Sequence, residues 1–185
     1  MPEPKENSII YADASKCVGC KQCELACAQA HSGCTLPEAK ANSYRLISRI
    51  HIVRVDELNV PMLCRQCEDA PCAYACPTGA IYQENGIVQI SENRCVGCKV
   101  CVMACPFGAI EVLHEGTTQK GRTNLGVIKK CNLCVHRIDD DGMFHCACVE
   151  ACPTKALRLV SLTDHRKQLM IARAREASVS SMHKG

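Results

Sequence analysis

Sixteen of the 18 cysteines in this 185-residue chain fall into four blocks of four. The first is Cys17-x2-Cys20-x2-Cys23-x3-Cys27, and the third is Cys95-x2-Cys98-x2-Cys101-x3-Cys105-Pro106. The second, Cys64-x2-Cys67-x4-Cys72-x3-Cys76-Pro77, and the fourth, Cys131-x2-Cys134-x13-Cys148-x3-Cys152-Pro153, keep similar ends around a longer middle. Three thiolates at gaps of two let one loop wrap three corners of an iron–sulfide cube while its backbone amides face the sulfurs. The cysteine three residues further on is expected to open a helical turn that faces away and to ligate the other cluster of a pair. Blocks then come in twos, and sixteen thiolates match four 4Fe-4S clusters with none missing.

Zinc is the competing chemistry, since C-x2-C pairs also build knuckles and ribbons. Zinc uses two pairs per ion and leaves the third cysteine of the first and third blocks without a role. The fourth block, with its long gap between pairs, is where zinc or another cluster type competes best. Disulfides fit poorly, because thiols at such gaps are badly placed to bridge one another. Cys34 and Cys146 fit no block and read as free buried thiols. Cys146 is a rival to Cys148, but only Cys148 gives the x3 spacing to Cys152-Pro153, so Cys148 is the expected ligand. His31, His136 and His145 lie near blocks, yet sixteen thiolates leave no position for imidazole, and they read as surface or neighbouring residues. Lys21 and Lys99 fall inside cluster loops, where they either raise a reduction potential or are simply solvated.

The elements that must hold these loops are short. After the last cysteine of the three later blocks come Pro77-Thr78-Gly79-Ala80-Ile81, Pro106-Phe107-Gly108-Ala109-Ile110 and Pro153-Thr154-Lys155-Ala156-Leu157, a repeated unit. In each, the Pro ends one conformation and the Ala-apolar pair opens a strand, seen best in Glu111-Val112 and Arg158-Leu159-Val160. Gly86 is expected to turn Ile87-Val88-Gln89-Ile90 back as a second strand, and Tyr44 to Val55, rich in β-branched residues, reads as a longer one. From Ser161 to Gly185 there is no cysteine; propensity predicts a helix starting near Asp164 and running through Leu169-Met170-Ile171.

Composition agrees with an interior filled by something other than side chains. There are four Tyr, two Phe and no Trp. The 47% hydrophobic fraction falls to about 37% without cysteine. A formal charge of +3, with no basic run interleaved with aromatics, gives no argument for nucleic acid, and no nucleic-acid partner is expected. Each oxidised cluster with four thiolates carries roughly −2, so four would take the chain from +3 to about −5. No basic and apolar leader opens the sequence and no apolar run approaches ~18 residues, so a cytoplasmic chain with no direct membrane span is expected.

The blocks resemble those of the four-cluster ferredoxin-like electron-transfer subunits. That family includes the iron–sulfur subunits of DMSO-reductase-type molybdoenzymes, of formate hydrogenlyase and of carbon monoxide dehydrogenase. The resemblance covers about residues 9–160, and the first block, with Ala28 after Cys27 in place of Pro, looks most like the formate-hydrogenlyase and carbon-monoxide-dehydrogenase branch. It implies an α+β fold of two interleaved bacterial-type ferredoxin modules with short strand pairs and a C-terminal helical extension. Residues 1–58 and 116–160 would be the halves of an outer module, 59–115 an inserted module, and 161–185 the tail. The implied ligand sets are Cys17, Cys20, Cys23 and Cys152; Cys27, Cys131, Cys134 and Cys148; Cys64, Cys67, Cys72 and Cys105; and Cys76, Cys95, Cys98 and Cys101.

No G-x-G-x-x-G, Walker loop or paired nucleophile suggests a reaction of the chain's own. The resemblance therefore implies a relay of single electrons inside an oxidoreductase complex. Its catalytic partner would be of the formate dehydrogenase, hydrogenase or carbon monoxide dehydrogenase type, with a second iron–sulfur subunit as a further partner. The alternative is a free soluble polyferredoxin shuttling between enzymes, and a weaker third reading is a redox sensor or assembly protein. Some relatives in hydrogen-dependent carbon dioxide reductases assemble through a C-terminal extension, which implies self-association through the tail.

Overall fold

The computed structural model describes residues 7–113, 126–140 and 142–182. The expected module boundary at 115/116 lies outside the described residues, as does the start of the chain before residue 7.

The two ends of the cysteine-bearing region are tied together. β1 (Ser8–Ala12) runs antiparallel to β8 (Leu157–Ser161), with Ile10 opposite Leu159. α1 (Gln22–Ser32) follows the first loop and is closed by Gly33 in the left-handed conformation, whose N–H reaches the Gln29 carbonyl. α2 (Leu36–Ala41) starts on a capping box: the Thr35 hydroxyl accepts from the Glu38 N–H while the Glu38 carboxylate accepts from the Thr35 N–H.

β2 (Ile50–Val55) and β3 (Leu58–Leu63) form a hairpin in the register Ile50 to Leu63 that turns at Asp56 and Glu57, so the expected boundary between residues 58 and 59 falls inside β3. The strand expected from Tyr44 begins only at Ile50. Leu63, the partner of Ile50, is followed at once by the cysteine-bearing loop at Cys64, so the ladder has no strand left to pair with residues 44–49. The Arg49 N–H instead donates to the Cys27 sulfur at 3.3 Å.

α3 (Pro71–Tyr74) leads to a second hairpin, β4 (Ile81–Glu84) and β5 (Ile87–Ile90). Its two-residue turn is Asn85-Gly86, both at positive φ (50° and 75°), as an Asn-Gly hairpin turn requires. α4 (Val100–Ala104) precedes β6 (Glu111–Leu113), which pairs with β7 (Val127–Lys129). α5 (Ala147–Glu150) packs against α1, and α6 (Leu162–Met182) follows β8 directly. The Ser161 hydroxyl accepts from the Asp164 N–H at 3.2 Å, which caps the start of α6.

Two apolar clusters make the interior. The first gathers Ile10, Ile50, Leu63, Leu133, Ala156 and Leu157 around Cys23, Cys27, Cys131, Cys148 and Cys152. The second joins Ala70, Ile81, Val88, Ile110 and Ile128 to Cys72 and Cys101. Burial of each large aliphatic side chain contributes about 1.5–3 kcal/mol. Ile87 belongs to the first cluster and its neighbour Val88 to the second, so β5 presents opposite faces to both and forms their seam.

Candidate metal centres

Each cysteine-bearing loop is wound by residues in the left-handed conformation. Gly19 and Lys21 (φ 73° and 59°) occupy the first block, Gly97 and Lys99 (both 67°) the third. Gln66 (48°) plays this part in the second block, Leu133 and Cys134 (57° and 54°) in the fourth. Lys21 and Lys99 therefore have a conformational duty besides their charge: each caps the N-terminus of the helix that carries the next cysteine. In the first block Cys27 lies inside α1, but in the three later blocks the helix lies before the last cysteine, not after it as the sequence suggested. Cys105 is the C-cap of α4, and Cys76 and Cys152 follow the C-caps of α3 and α5. Proline after the cysteine prevents continuation.

The loops enclose three cavities. One, of about 310 Å³, is lined by Cys17, Cys20, Cys23 and Cys152 together with Ile52, Pro61 and Leu157. A second, of about 320 Å³, is lined by Cys64, Cys67, Cys72 and Cys105 with Val88, Phe107 and Ile110. The third, also about 320 Å³, is lined by Cys76, Cys95, Cys98 and Cys101 with Ile81, Ile90 and Ile128. In each, three thiols come from one block and the fourth from another. Among the described residues these thiols stand around a space and do not converge on one point as the ligands of a single ion would.

The remaining block-derived cysteines, Cys27, Cys131, Cys134 and Cys148, are all buried and act electrostatically on one another. Burial pushes the Cys131 thiol up to about 12, and it raises the Cys148 thiol as well. Cys23 and Cys72 are pushed up to about 11 for the same reason. Such thiols are protonated in the cluster-free chain, so ligation releases protons.

Cys146 shares this last cluster of thiols. Its Sγ donates to the Leu133 carbonyl at 3.4 Å, and its thiol bonds to Cys134, which pulls Cys134 down and holds Cys146 up. The His31 Nε2 stands 3.9 Å from the Cys134 sulfur and its ring is 4.7 Å from that of His136. Cys34, expected to be buried, is only half-buried, in the turn between α1 and α2. His145 lies between Asp139 and Glu150 at 3.0 and 3.2 Å.

The repeated Pro-Thr-x-Ala unit has a chemical purpose that spacing alone did not reveal. Burial pushes the Cys76 thiol up, but it is outweighed by the N–H of Ile81, the Thr78 hydroxyl and N–H, and the Ala80 N–H. Cys152 is held below its ordinary value in the same way by Leu157, Thr154 and Ala156. The hydroxyls lie 3.6 Å and 3.8 Å from the sulfurs. The unit is thus a cradle of donors that favours the thiolate. In the third block Phe107 stands in the threonine position and has no hydroxyl to offer; its ring meets the Arg65 guanidinium at 6.0 Å.

Residues 55–162 match the family described as the 4Fe-4S dicluster domain. The chain belongs to that family. Its cofactors are accordingly 4Fe-4S clusters, and the thiol-lined cavities offer the donor chemistry they need. The chain is 55% identical to an iron-sulfur protein of Rhodospirillum rubrum, over 99% of this chain and 97% of that protein. It is 43% identical to the electron transport protein HydN of Escherichia coli K12, covering 82% of this chain and 86% of HydN. Formate hydrogenlyase subunit 2 of the same strain is 36% identical, covering 85% of this chain and 84% of the subunit. Among the described residues, no helix of this dicluster protein is long and apolar enough to cross a membrane.

Proposed function

We propose that this dicluster-family chain is an electron-transfer subunit that relays single electrons through four 4Fe-4S clusters. The clusters would be held by Cys17, Cys20, Cys23 and Cys152; by Cys27, Cys131, Cys134 and Cys148; by Cys64, Cys67, Cys72 and Cys105; and by Cys76, Cys95, Cys98 and Cys101. The observation that carries the reading is the grouping of thiols from two blocks around each of three cavities, beside a fourth, buried group. The outer module is made from both ends of the chain, as the β1–β8 pairing suggests, with the other module inserted between its halves.

The clusters supply reversible one-electron exchange when bound. The chain's own residues fix their order. Cys148 lies close enough to Cys23 for their charges to interact, and Cys131 close enough to Cys64, which supports a line running from the Cys152 set through the Cys131 set to the inserted module. Such a line brings electrons past a protein too thick for a single transfer, and catalysis belongs to a partner.

The names of the relatives point to that partner. HydN is named an electron transport protein and another relative a subunit of formate hydrogenlyase. The partner in this reading is a catalytic subunit of formate dehydrogenase, hydrogenase or carbon monoxide dehydrogenase type, joined in the cytoplasm. α6 is a docking element for that complex or for a second copy. Past its first turn, where His165 stacks on Tyr11 at 4.9 Å, α6 leaves Leu169, Met170 and Ile171 exposed.

Anaerobic purification of the native complex with mass-spectrometric identification of bound chains tests the proposal. A co-purifying oxidoreductase subunit is expected. A lone chain with a full complement of iron and sulfide would replace the relay by a diffusing polyferredoxin. Truncation after Leu162 is expected to reduce the assembly size, and an unchanged size would remove the docking role of α6.

A further inference from the structure

Two polar side chains are buried at the seam between the apolar clusters: Gln66, 1% exposed, and Lys130, 2% exposed. Both converge on the backbone of Cys131 and Val88. The Gln66 Nε2 donates to the Cys131 carbonyl at 2.9 Å, and its Oε1 accepts from the Val88 N–H at 2.9 Å. The Lys130 Nζ donates to the same Cys131 carbonyl at 2.8 Å and to the Val88 carbonyl. Among the described residues β5 has a strand partner on one side only, and at Val88 its other edge is capped by side chains.

A buried ammonium is costly unless charge of opposite sign is near. Among the described residues no ion pair involves Lys130. Its position supplies the candidates: Val88, whose carbonyl it holds, lines the cavity of Cys64, Cys67, Cys72 and Cys105, and Cys131, whose carbonyl it also holds, belongs to the neighbouring set of thiols. Gln66 lies between Cys64 and Cys67 in the chain and bonds to Cys131, so it links the same two sets.

We propose that Lys130 is the shared counter-charge of the two clusters that face each other across the module seam, a positioning residue that raises both their reduction potentials and leaves the other two unaffected. The proposal rests on the four-cluster reading above. An added electron makes a cluster more negative, and a fixed positive charge nearby favours that state. By lifting both clusters together, one residue keeps the step between modules nearly level, and Gln66 holds the carbonyl that anchors it.

The test is a redox titration, followed by electron paramagnetic resonance, of anaerobically purified wild-type holoprotein and Lys130→Gln, which keeps a donor and loses the charge. Two potentials are expected to shift downward while two stay. No shift, or an equal shift of every cluster, overturns the proposal. Iron and acid-labile sulfide in the wild type test the four-cluster reading separately. A shortfall there falls on that reading, while the comparison still requires some clusters to move and others not. If Lys130→Gln does not load, Lys130→Arg decides. Loaded, with its potentials at wild-type values, it shows that the site requires charge. Unloaded, or loaded with the pair displaced downward, it shows that lysine's shape is what matters, and the proposal falls.

Discussion

Gly19→Ala is expected to destabilise the first ligand loop by an amount that its surroundings fix. Gly19 sits at φ +73°, and a Cβ there would lie 2.8 Å from the Asn59 Oδ1 and 2.9 Å from its Cγ. The left-handed conformation costs an alanine about 1–2 kcal/mol. The Asn59 amide, which donates weakly to the Cys17 carbonyl at 3.5 Å, must also move, forfeiting about 0.5–1.5 kcal/mol. The sum, roughly 1.5–3.5 kcal/mol, is a factor on the order of 10–300 in the ratio of folded to unfolded chain. Because the cofactor is lost on unfolding, the readout is the first-order rate of cluster bleaching on anaerobic heating, which rises by that factor or less. Asn59→Ala separates the two contributions. With the amide removed, the added methyl has room, so Gly19→Ala/Asn59→Ala should bleach more slowly than the product of the single effects predicts. Strictly additive effects, or a Gly19→Ala protein indistinguishable from wild type, would refute the packing argument.

Three further outcomes follow from the geometry. Cys98→Ser should lose about a quarter of the iron while Cys34→Ser keeps it all, and equal iron in both would sink the ligand assignment. Thr78→Val and Thr154→Val each remove a hydroxyl beside a ligand sulfur, so each should lower the potential of one cluster in a redox titration; unchanged potentials in both would mean that the backbone donors suffice. His145 should titrate above its ordinary value in an NMR pH series, first because of Asp139 and then Glu150, and Asp139→Asn should bring it down. With a raised folded value, its stabilising contribution is complete below about pH 6.5 and is lost as pH rises through the folded pKa; a titration at or below 6.5 would contradict the arrangement.

The cysteine blocks were legible because a cluster constrains its ligands at short range: gaps of two and three residues state which thiols share a loop. The Asn85-Gly86 turn and its hairpin were legible for a similar local reason. What escaped the sequence depended on partners far along the chain. Tyr44 to Ser48 has strand propensity, but its would-be partner is consumed by the loop at Cys64. The lysines at 21 and 99 looked like charges near a cofactor, and their backbone conformation shows only in three dimensions. Lys130 and Gln66 resemble any surface lysine and glutamine in sequence. They become distinctive because β5 turns one residue into each core and leaves an edge for them to cap.

The poverty of aromatic residues and the abundance of cysteine are two sides of one design. Both apolar clusters are mixtures of short aliphatic side chains and the cysteines proposed as ligands, so in that reading the walls of the cofactor cavities are the core itself. Leu133, fully buried, adjoins Cys134, and Leu157 lines the cavity that Cys152 closes. Loading the cofactor and completing the core are therefore the same event, which is how metal binding becomes folding free energy. Each cavity draws one thiol from a distant block, so that event also fixes the path of the chain. On the four-cluster reading, loss of a single cluster is expected to disturb its neighbour through β5, which places Ile87 in one apolar cluster and Val88 in the other.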